Sequence, residues 1–134
     1  MISPTGHGIR HSDRHGSGFF GAPRGDKRHK GVDFIVSPIG QTIVAPCPGD
    51  VIRIKRPYAK KVKGVLFSGL FIRAADYTYT LFYFEPLFEV LRTRVEEGDI
   101  LGYAQDISIK YPGMIPHIHV QFDSINPELF IRLP

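Results

Sequence analysis

Residues 116–122, with the sequence Pro-His-Ile-His-Val-Gln-Phe, constrain the fold of this chain more than any other stretch. With a period of two, His117, His119 and Gln121 lie on one side of a strand and three apolar residues on the other. A core strand has no use for two imidazoles on one side, because each would need a hydrogen-bond partner or lose its solvation. A metal ion could use both. The stretch therefore predicts a strand with an apolar side and a metal-binding side.

A second pair of candidate ligands lies far upstream. His29 and Asp33 flank Gly31 where a polar loop becomes an apolar strand, and Gly31 would let the backbone bend so that both side chains converge. The pair alone is weak evidence, since most such pairs are a loop histidine and a strand-edge acid. Together with the histidines of residues 116–122, it predicts two nitrogen ligands and one oxygen ligand, with a fourth position open to water as in catalytic zinc sites. The single cysteine, Cys47, offers no competing cluster and is expected to be a small buried hydrophobe.

Three segments in this order resemble the signatures of the lysostaphin/LytM-type zinc metallopeptidases. They are His29-x-Gly31-x-Asp33, Val44-Ala45-x-x-x-Gly49-x-Val51 and Pro116-His117-Ile118-His119. The resemblance covers residues 8–123, and the ordered combination is far more specific than any one segment. Members of this family cut the peptide part of bacterial peptidoglycan, so the resemblance implies a peptidoglycan peptide as the substrate.

Within this family, the chain is similar to the leukocyte-derived chemotaxin branch of animals. That branch carries cysteines at the positions of Ser12 and Ser17, and their absence fits a chain that does without disulfides. The animal chemotaxins bind zinc and are regarded as signalling proteins rather than peptidases. The similar segments are residues 9–18, Pro57-Tyr58, Phe82-Tyr83 and Tyr111-Pro112-Gly113.

The resemblance also implies a role for each candidate residue. His29, Asp33 and His119 would hold Zn²⁺, and His117 would face the zinc-bound water as a general base. The residues alone do not decide which histidine of the pair 117/119 is the ligand. In the family, zinc lowers the pKa of its bound water and polarises the scissile carbonyl, and the uncoordinated histidine moves the proton to the leaving amine.

One departure from the family lies in residues 81–87, where a second non-ligand histidine is missing. By alternation, Tyr83 and Glu85 share one face of this predicted strand, so either could stand near the metal as a surrogate partner for His117. The alternative is that both are ordinary strand residues and the site is chemically impaired. Loss of one acid-base group typically lowers a rate by about 10²–10⁴-fold.

Short apolar runs separated by Gly and Pro turns predict the fold class. Strands are expected at residues 32–36, 42–45, 51–56, 65–73, 78–85, 100–103 and 117–122. Such strands without helical periodicity predict an antiparallel all-β sandwich or partly open barrel, which the LytM-type resemblance also implies. With 134 residues, we expect one domain: an irregular N-terminal segment (1–28), a β core (29–123) and a tail (124–134).

The N-terminal segment contains three histidines at a spacing of four, His7, His11 and His15. They would share one side of a helix and could form a second metal site there, but the neighbouring glycines disfavour a helix. Arg10 and Asp13 are better interpreted as a local ion pair.

The charge and hydropathy of the sequence limit the kinds of partner that the chain can have. The 17 Lys and Arg residues outnumber the 13 Asp and Glu residues, and this balance favours polyanions without selecting one. No basic segment carries the interleaved aromatics of a nucleic-acid motif, and no apolar run is long enough to span a membrane. The first residues lack the apolar region of a signal peptide, so the chain either is exported by another route or is a mature or excised domain. We expect a monomer that acts outside the cytoplasm, in the periplasm, in the cell wall or as a secreted protein.

Three functions follow from these residues. The first is a zinc metalloendopeptidase that hydrolyses peptidoglycan peptides, favoured by the complete set His29, Asp33, His117 and His119. The second is a catalytically degenerate zinc-binding module that recognises a glycan, peptide or receptor, favoured by the missing histidine. A third, binding of nucleic acid or another polyanion, depends on charge alone.

Overall fold

The computed structural model describes residues 1–13, 15–24 and 27–123. The helices among these residues are single 3-10 turns, Phe88–Val90 and Ile107–Ile109, and no helix has the length and apolar character that crossing a bilayer requires. The strands, numbered in chain order, are β1 (Pro23–Arg24), β2 (Lys27–Arg28), β3 (Val32–Ile35), β4 (Thr42–Val44), β5 (Gly49–Lys55), β6 (Gly69–Arg73), β7 (Thr78–Phe82), β8 (Phe84–Pro86), β9 (Arg94–Val95), β10 (Ile100–Ala104) and β11 (His117–Phe122).

Most of these strands belong to two antiparallel sheets. The larger sheet has six strands in the order β3-β11-β7-β6-β5-β9, and the smaller has three in the order β4-β10-β8. The strands β1 and β2 pair with each other as a separate hairpin. The prediction of an antiparallel all-β sandwich is therefore confirmed, and the larger sheet ends at β3 and β9 rather than closing into a barrel.

The apolar sides of the strands form the core. In β11, Ile118, Val120 and Phe122 are buried, as the alternation predicts. Leu81 of β7 and Ile43 of β4 belong to the same buried cluster, so both sheets contribute to it. Burying one such side chain stabilises the fold by about 1.5–3 kcal/mol. This packing fixes which side of β11 faces the core and leaves its two histidines on the other side.

The strand predicted over residues 78–85 is interrupted at Tyr83. Its φ of 82° lies in the left-handed region, so the chain leaves the larger sheet after β7 and enters the smaller one as β8. Glu85 pairs there with Tyr103 of β10 and is exposed. The prediction that Tyr83 and Glu85 share one face is therefore wrong, because the positive φ breaks the alternation on which it depended.

The N-terminal segment hydrogen-bonds to strands of both sheets. The N–H of Arg10 donates to the carbonyl of Asp33 in β3, and the N–H of Val44 in β4 donates to the carbonyl of Pro4. The hairpin β1-β2 lies within the segment predicted to be irregular, so that prediction missed it. The predicted tail, residues 124–134, lies outside the described residues.

Candidate metal centre

The strands β3 and β11 bring the candidate ligands together. His119 pairs directly with Asp33 across the two strands, and His29 lies just before β3. Between His29 and Asp33, a Cβ on Gly31 would come within 2.5 Å of the carbonyl oxygen of Val120 and 2.6 Å of His119 Cε1. The sequence suggested that this glycine serves a backbone bend. The structure gives a steric reason instead: only glycine leaves room for the His119 ring.

Three donor atoms converge at this point. His29, Asp33 and His119 form the one group among the described residues whose potential ligand atoms all lie within 4.8 Å of one another. His29 Nε2 and His119 Nδ1 are 3.1 Å apart. Asp33 Oδ1 lies 3.1 Å from the first nitrogen and 2.9 Å from the second.

The outward nitrogens of the two rings fix which atoms face inward. His29 Nδ1 lies 3.0 Å from the carbonyl oxygen of Phe19, which can only accept, so this nitrogen carries the hydrogen. His119 Nε2 lies 3.1 Å from Gln121 Oε1 and donates to it. When it carries only this outward hydrogen, each ring turns a lone pair towards Asp33 Oδ1. Three electron-rich atoms this close repel one another unless a proton or a metal ion lies among them, and the donor set suits a divalent metal that accepts both nitrogen and oxygen.

Arg10 binds the other oxygen of Asp33. Its Nε and Nη2 atoms lie 3.2 and 3.1 Å from Asp33 Oδ2, and both residues are almost completely buried. Burial alone would raise the pKa of Asp33, but hydrogen bonds that its Oδ1 accepts from His119 and His29, when these rings carry a second proton, hold the pKa well below its ordinary value. The carboxylate is thus ionised, with one oxygen at the candidate metal centre and the other on the guanidinium.

The guanidinium of Arg10 also joins the N-terminal segment to the loop before β11. Its Nη1 atom donates to Asp13 Oδ2 and to the carbonyl of Gly16, both at 2.8 Å. Asp13 Oδ2 in turn accepts from the N–H of Ile115 at 2.8 Å. The predicted pair Arg10–Asp13 is confirmed, whereas the contact with Asp33 was missed because it joins residues that are distant in the sequence.

His117 stands beside the three donor atoms without belonging to their group. Its Nδ1 atom donates to the carbonyl of Ile115 at 2.8 Å, and its Nε2 atom lies 3.5 Å from Asp33 Oδ2. Burial lowers the pKa of His117 to about 4, although the charge of Asp33 acts in the opposite direction. This side chain is therefore a neutral imidazole at neutral pH, with its Nε2 lone pair towards the site.

Of the two suggested surrogates, Tyr83 is the one that lies at the site. Its ring meets the ring of His117 edge-on with centroids 5.4 Å apart, whereas Glu85 is on the smaller sheet and does not line the cavity. Burial raises the pKa of the Tyr83 phenol, so it stays protonated. Tyr58 Oη lies 3.5 Å from Tyr83 Oη and 3.3 Å from Tyr111 Oη. These three phenols form the phenol cluster.

A cavity of ≈ 300 Å³ lies between the candidate metal centre and the phenol cluster. Tyr111 and Met114, from the loop before β11, line it. The predicted alternative of a second site at His7, His11 and His15 finds no support among the described residues, where the one candidate metal group is the centre above. Two of these rings serve backbone contacts instead: His7 Nε2 donates to the carbonyl of Ser37, and His15 Nε2 donates to that of Pro112.

Comparison with known proteins gives relatives in sequence and in structure. Leukocyte cell-derived chemotaxin-2 of Bos taurus is 32% identical over 124 residues, which cover 92% of this chain and 79% of that protein. Myeloid protein 1 of Gallus gallus is 33% identical over 123 residues, which are 89% of this chain but 36% of that protein. No protein-family model matches the sequence.

Solved structures share the fold at lower identity. The catalytic domain of the antimicrobial peptidase lysostaphin from Staphylococcus simulans gives a TM-score of 0.57 at 21% identity, covering 88% of this chain and 90% of that one. Csd3 of Helicobacter pylori gives a TM-score of 0.68 at 18% identity and covers 99% of this chain, which spans about a third (35%) of that protein. At these identities the likeness shows the fold.

Proposed function

The chain belongs to the lysostaphin/LytM-type metallopeptidase family, in its leukocyte cell-derived chemotaxin branch, and from this membership we propose that it is a zinc metalloendopeptidase acting on the peptides of bacterial peptidoglycan. One observation carries the proposal. His29 Nε2, Asp33 Oδ1 and His119 Nδ1 converge within 4.8 Å, next to a histidine outside the group. Two nitrogens and one oxygen are the ligand types of catalytic zinc sites that keep a position open.

The residues around the centre would each perform a separate task. Zinc, when bound, supplies Lewis acidity and lowers the pKa of a bound water. His29, Asp33 and His119 hold the ion, and the carbonyl of Phe19 and the amide of Gln121 orient the two imidazoles. In this proposal His117 takes the proton at Nε2, because its Nδ1 hydrogen is already donated to a carbonyl.

Tyr83 would take the place of the missing histidine as a hydrogen-bond donor. A partly buried, protonated phenol can stabilise negative charge that develops on the substrate carbonyl oxygen, but it cannot shuttle a proton as an imidazole does. We therefore expect slower hydrolysis than in family members with both histidines, by up to about 10²–10⁴-fold.

The second candidate function is a catalytically degenerate zinc module that binds a glycan, peptide or receptor. The specific observation in its favour is the phenol cluster. Tyr58 bonds to both Tyr83 and Tyr111, so the three phenols are hydrogen-bonded to one another. The similarity to chemotaxin-2 points the same way. Under this alternative, the zinc centre stabilises a binding surface.

Release of soluble fragments from purified peptidoglycan tests the proposal. The zinc-loaded protein should release fragments, and His117→Ala should retain zinc while releasing none. A pair of matched variants tests the surrogate: Tyr83→His should raise the rate, and Tyr83→Phe should lower it. If no variant releases fragments although each holds one zinc ion, the binding module replaces the peptidase.

The setting of this activity follows from its substrate. Peptidoglycan lies outside the cytoplasm, so we propose that the protein acts in the periplasm, in the cell wall or after secretion. We further propose that residues 1–134 act as one domain and as a monomer. Sedimentation of the zinc-loaded protein would test the last point.

A further inference from the structure

The side of the larger sheet that carries the metal centre continues well beyond it. Cross-strand partners on this side run from His119 and Gln121 of β11 to Phe82 and Thr80 of β7. Thr80 then pairs with Phe71 of β6. In an antiparallel sheet, direct partners have their side chains on the same side, so these residues form continuous rows. Any peptide bound at the centre can therefore extend across the strands.

At the far end of these rows, two cations of β5 contact the same aromatic ring. Phe71 pairs with Arg53 of β5, and Lys55 lies two residues farther along the same strand. The guanidinium carbon of Arg53 lies 5.7 Å from the centre of the Phe71 ring, and Lys55 Nζ lies 5.2 Å from it. Lys55 Nζ also lies 3.4 Å from Thr80 Oγ1. We name Arg53, Lys55, Phe71 and Thr80 the cationic strip.

The positive charge of the cationic strip is not neutralised by any carboxylate that the structure describes. In the part of the chain that the structure describes, no carboxylate forms an ion pair with Arg53 or Lys55. Arg53 is exposed and Lys55 is partly so, which leaves both accessible. Two like charges beside one ring repel each other, and an anionic ligand between them would relieve that repulsion.

The spacing fits a short stretch of peptide. Thr80 and Gln121 lie on neighbouring strands, which are about 4.8 Å apart, and Gln121 Oε1 accepts from the ligand His119. Gln121 is two residues from His119 along β11, so one strand spacing and a rise of two residues separate the ammonium of Lys55, which contacts Thr80, from the candidate metal centre by about 10 Å. An extended peptide rises about 3.3 Å per residue, so this distance corresponds to about three residues.

We infer that the cationic strip is a subsite for a carboxylate of an acidic peptide whose reacting bond lies at the metal centre. The inference deepens the proposed function and rests on it for the position of that bond. The ligand class is a peptide with an acidic side chain or terminal carboxylate about three residues from the centre. Lys55 and Arg53 would act as specificity-determining residues, since Gln at the same peptide position offers no charge.

Titration of the ¹⁵N-labelled, zinc-loaded protein by nuclear magnetic resonance tests the inference. The probes are six-residue glycine peptide amides with a single Glu placed at each position in turn, each matched by a peptide with Gln there. At the favoured position we expect the Glu peptide to bind about three- to tenfold more tightly, the range of exposed ion pairs and their networks. Amide shifts in β5 and β6 should accompany binding, and the preference should disappear in about 1 M salt, where the Debye length is about 3 Å.

Variants that each remove one positive charge show which residues produce the preference for Glu peptides. Arg53→Gln and Lys55→Gln should each reduce the preference, and the double variant should abolish it. Arg94→Gln, which removes an exposed arginine on β9, should leave the preference unchanged. Equal binding of Glu and Gln peptides at every position, no detectable binding of the Glu peptides, or an equal loss in Arg94→Gln would each overturn the inference.

Mass spectrometry of the same samples separates this inference from the proposed function. Preferential binding without cleavage upholds the subsite and argues against the peptidase. Cleavage without any preference for Glu upholds the peptidase and overturns the subsite.

Discussion

The two walls of the cavity are built in different ways. On the metal side, every candidate ligand is fixed by a second contact: His29 by a backbone carbonyl, His119 by Gln121 and Asp33 by Arg10. On the other side, Tyr83 and Tyr111 line the cavity, and both bond to Tyr58 behind them at 3.3–3.5 Å. On the metal side, the side chains are held in fixed orientations, as metal ligands must be. On the phenol side, the hydrogen bonds are longer, as expected for a surface that binds or orients a ligand.

This difference separates the residues that match the family's sequence motifs from those that depart from them. On the metal side, His29, Asp33 and His119 all stand at motif positions. The departure lies on the phenol side, where Tyr83 occupies the region of the missing histidine. Substitutions on the metal side should therefore have large effects on both zinc and stability, and substitutions on the phenol side should have small effects on either.

The largest effect is expected for Asp33→Asn. Zinc retention should be lost, and the fold should lose about 1.5–3 kcal/mol because Arg10 keeps Asp13 but loses its charged partner in β3. Metal content and urea denaturation would measure the two effects. As a control, Glu96→Gln breaks the exposed pair with Arg94 and should cost at most about 1 kcal/mol. Similar losses of stability in the two variants would show that the buried pair Arg10–Asp33 contributes no more than an exposed ion pair.

Gly31→Ala should weaken zinc binding by about 10–100-fold, the range found when ligand orientation is disturbed. The added methyl group would lie within 2.7 Å of His119 Nε2 and of a backbone oxygen, so the ring must move. Competition with a zinc chelator would measure the affinity. Gly40→Ala is the control for glycine removal, since no atom lies within 4 Å of the added group, although its positive φ brings some strain. Unchanged affinity in Gly31→Ala would contradict the steric role.

Arg10→Lys should weaken zinc binding by about tenfold, with a smaller loss of stability than Asp33→Asn. Lysine keeps the charge, but one ammonium cannot reproduce the separate contacts of the guanidinium with Asp33, Asp13 and Gly16. The measurement is the same chelator competition, with Arg94→Lys as the exposed control. If zinc affinity is unchanged in Arg10→Lys, the guanidinium contributes charge alone and does not orient the carboxylate.

The smallest effect is expected for Tyr58→Phe. It removes two long hydrogen bonds from the phenol cluster, so stability should fall by about 0.5–1.5 kcal/mol at most, with zinc affinity unchanged. Thermal unfolding of the zinc-loaded and zinc-free protein would show this. A loss of zinc in this variant would mean that the two walls are coupled and would end the distinction between them.

The sequence predicted the elements that depend on local pattern. Alternation placed β11 with its histidines on one side, and the ordered motifs selected His29, Asp33 and His119. The sequence could not predict the role of Arg10, because its contact with Asp33 joins positions 23 residues apart without periodicity. Nor could it predict that the chain changes sheets at Tyr83, since alternation assumes extended backbone and Tyr83 has a positive φ.

The contact between Asp13 and Ile115 has a consequence for how the molecule assembles. These residues are 102 positions apart, and the two imidazoles of the metal centre are 90 apart. Arg10 and Asp33 are synthesised before β11, and neither the candidate metal centre nor its cavity can form until β11 follows. Contacts of such long range slow folding. Zinc capture should therefore be among the last steps of folding, after both sheets have paired.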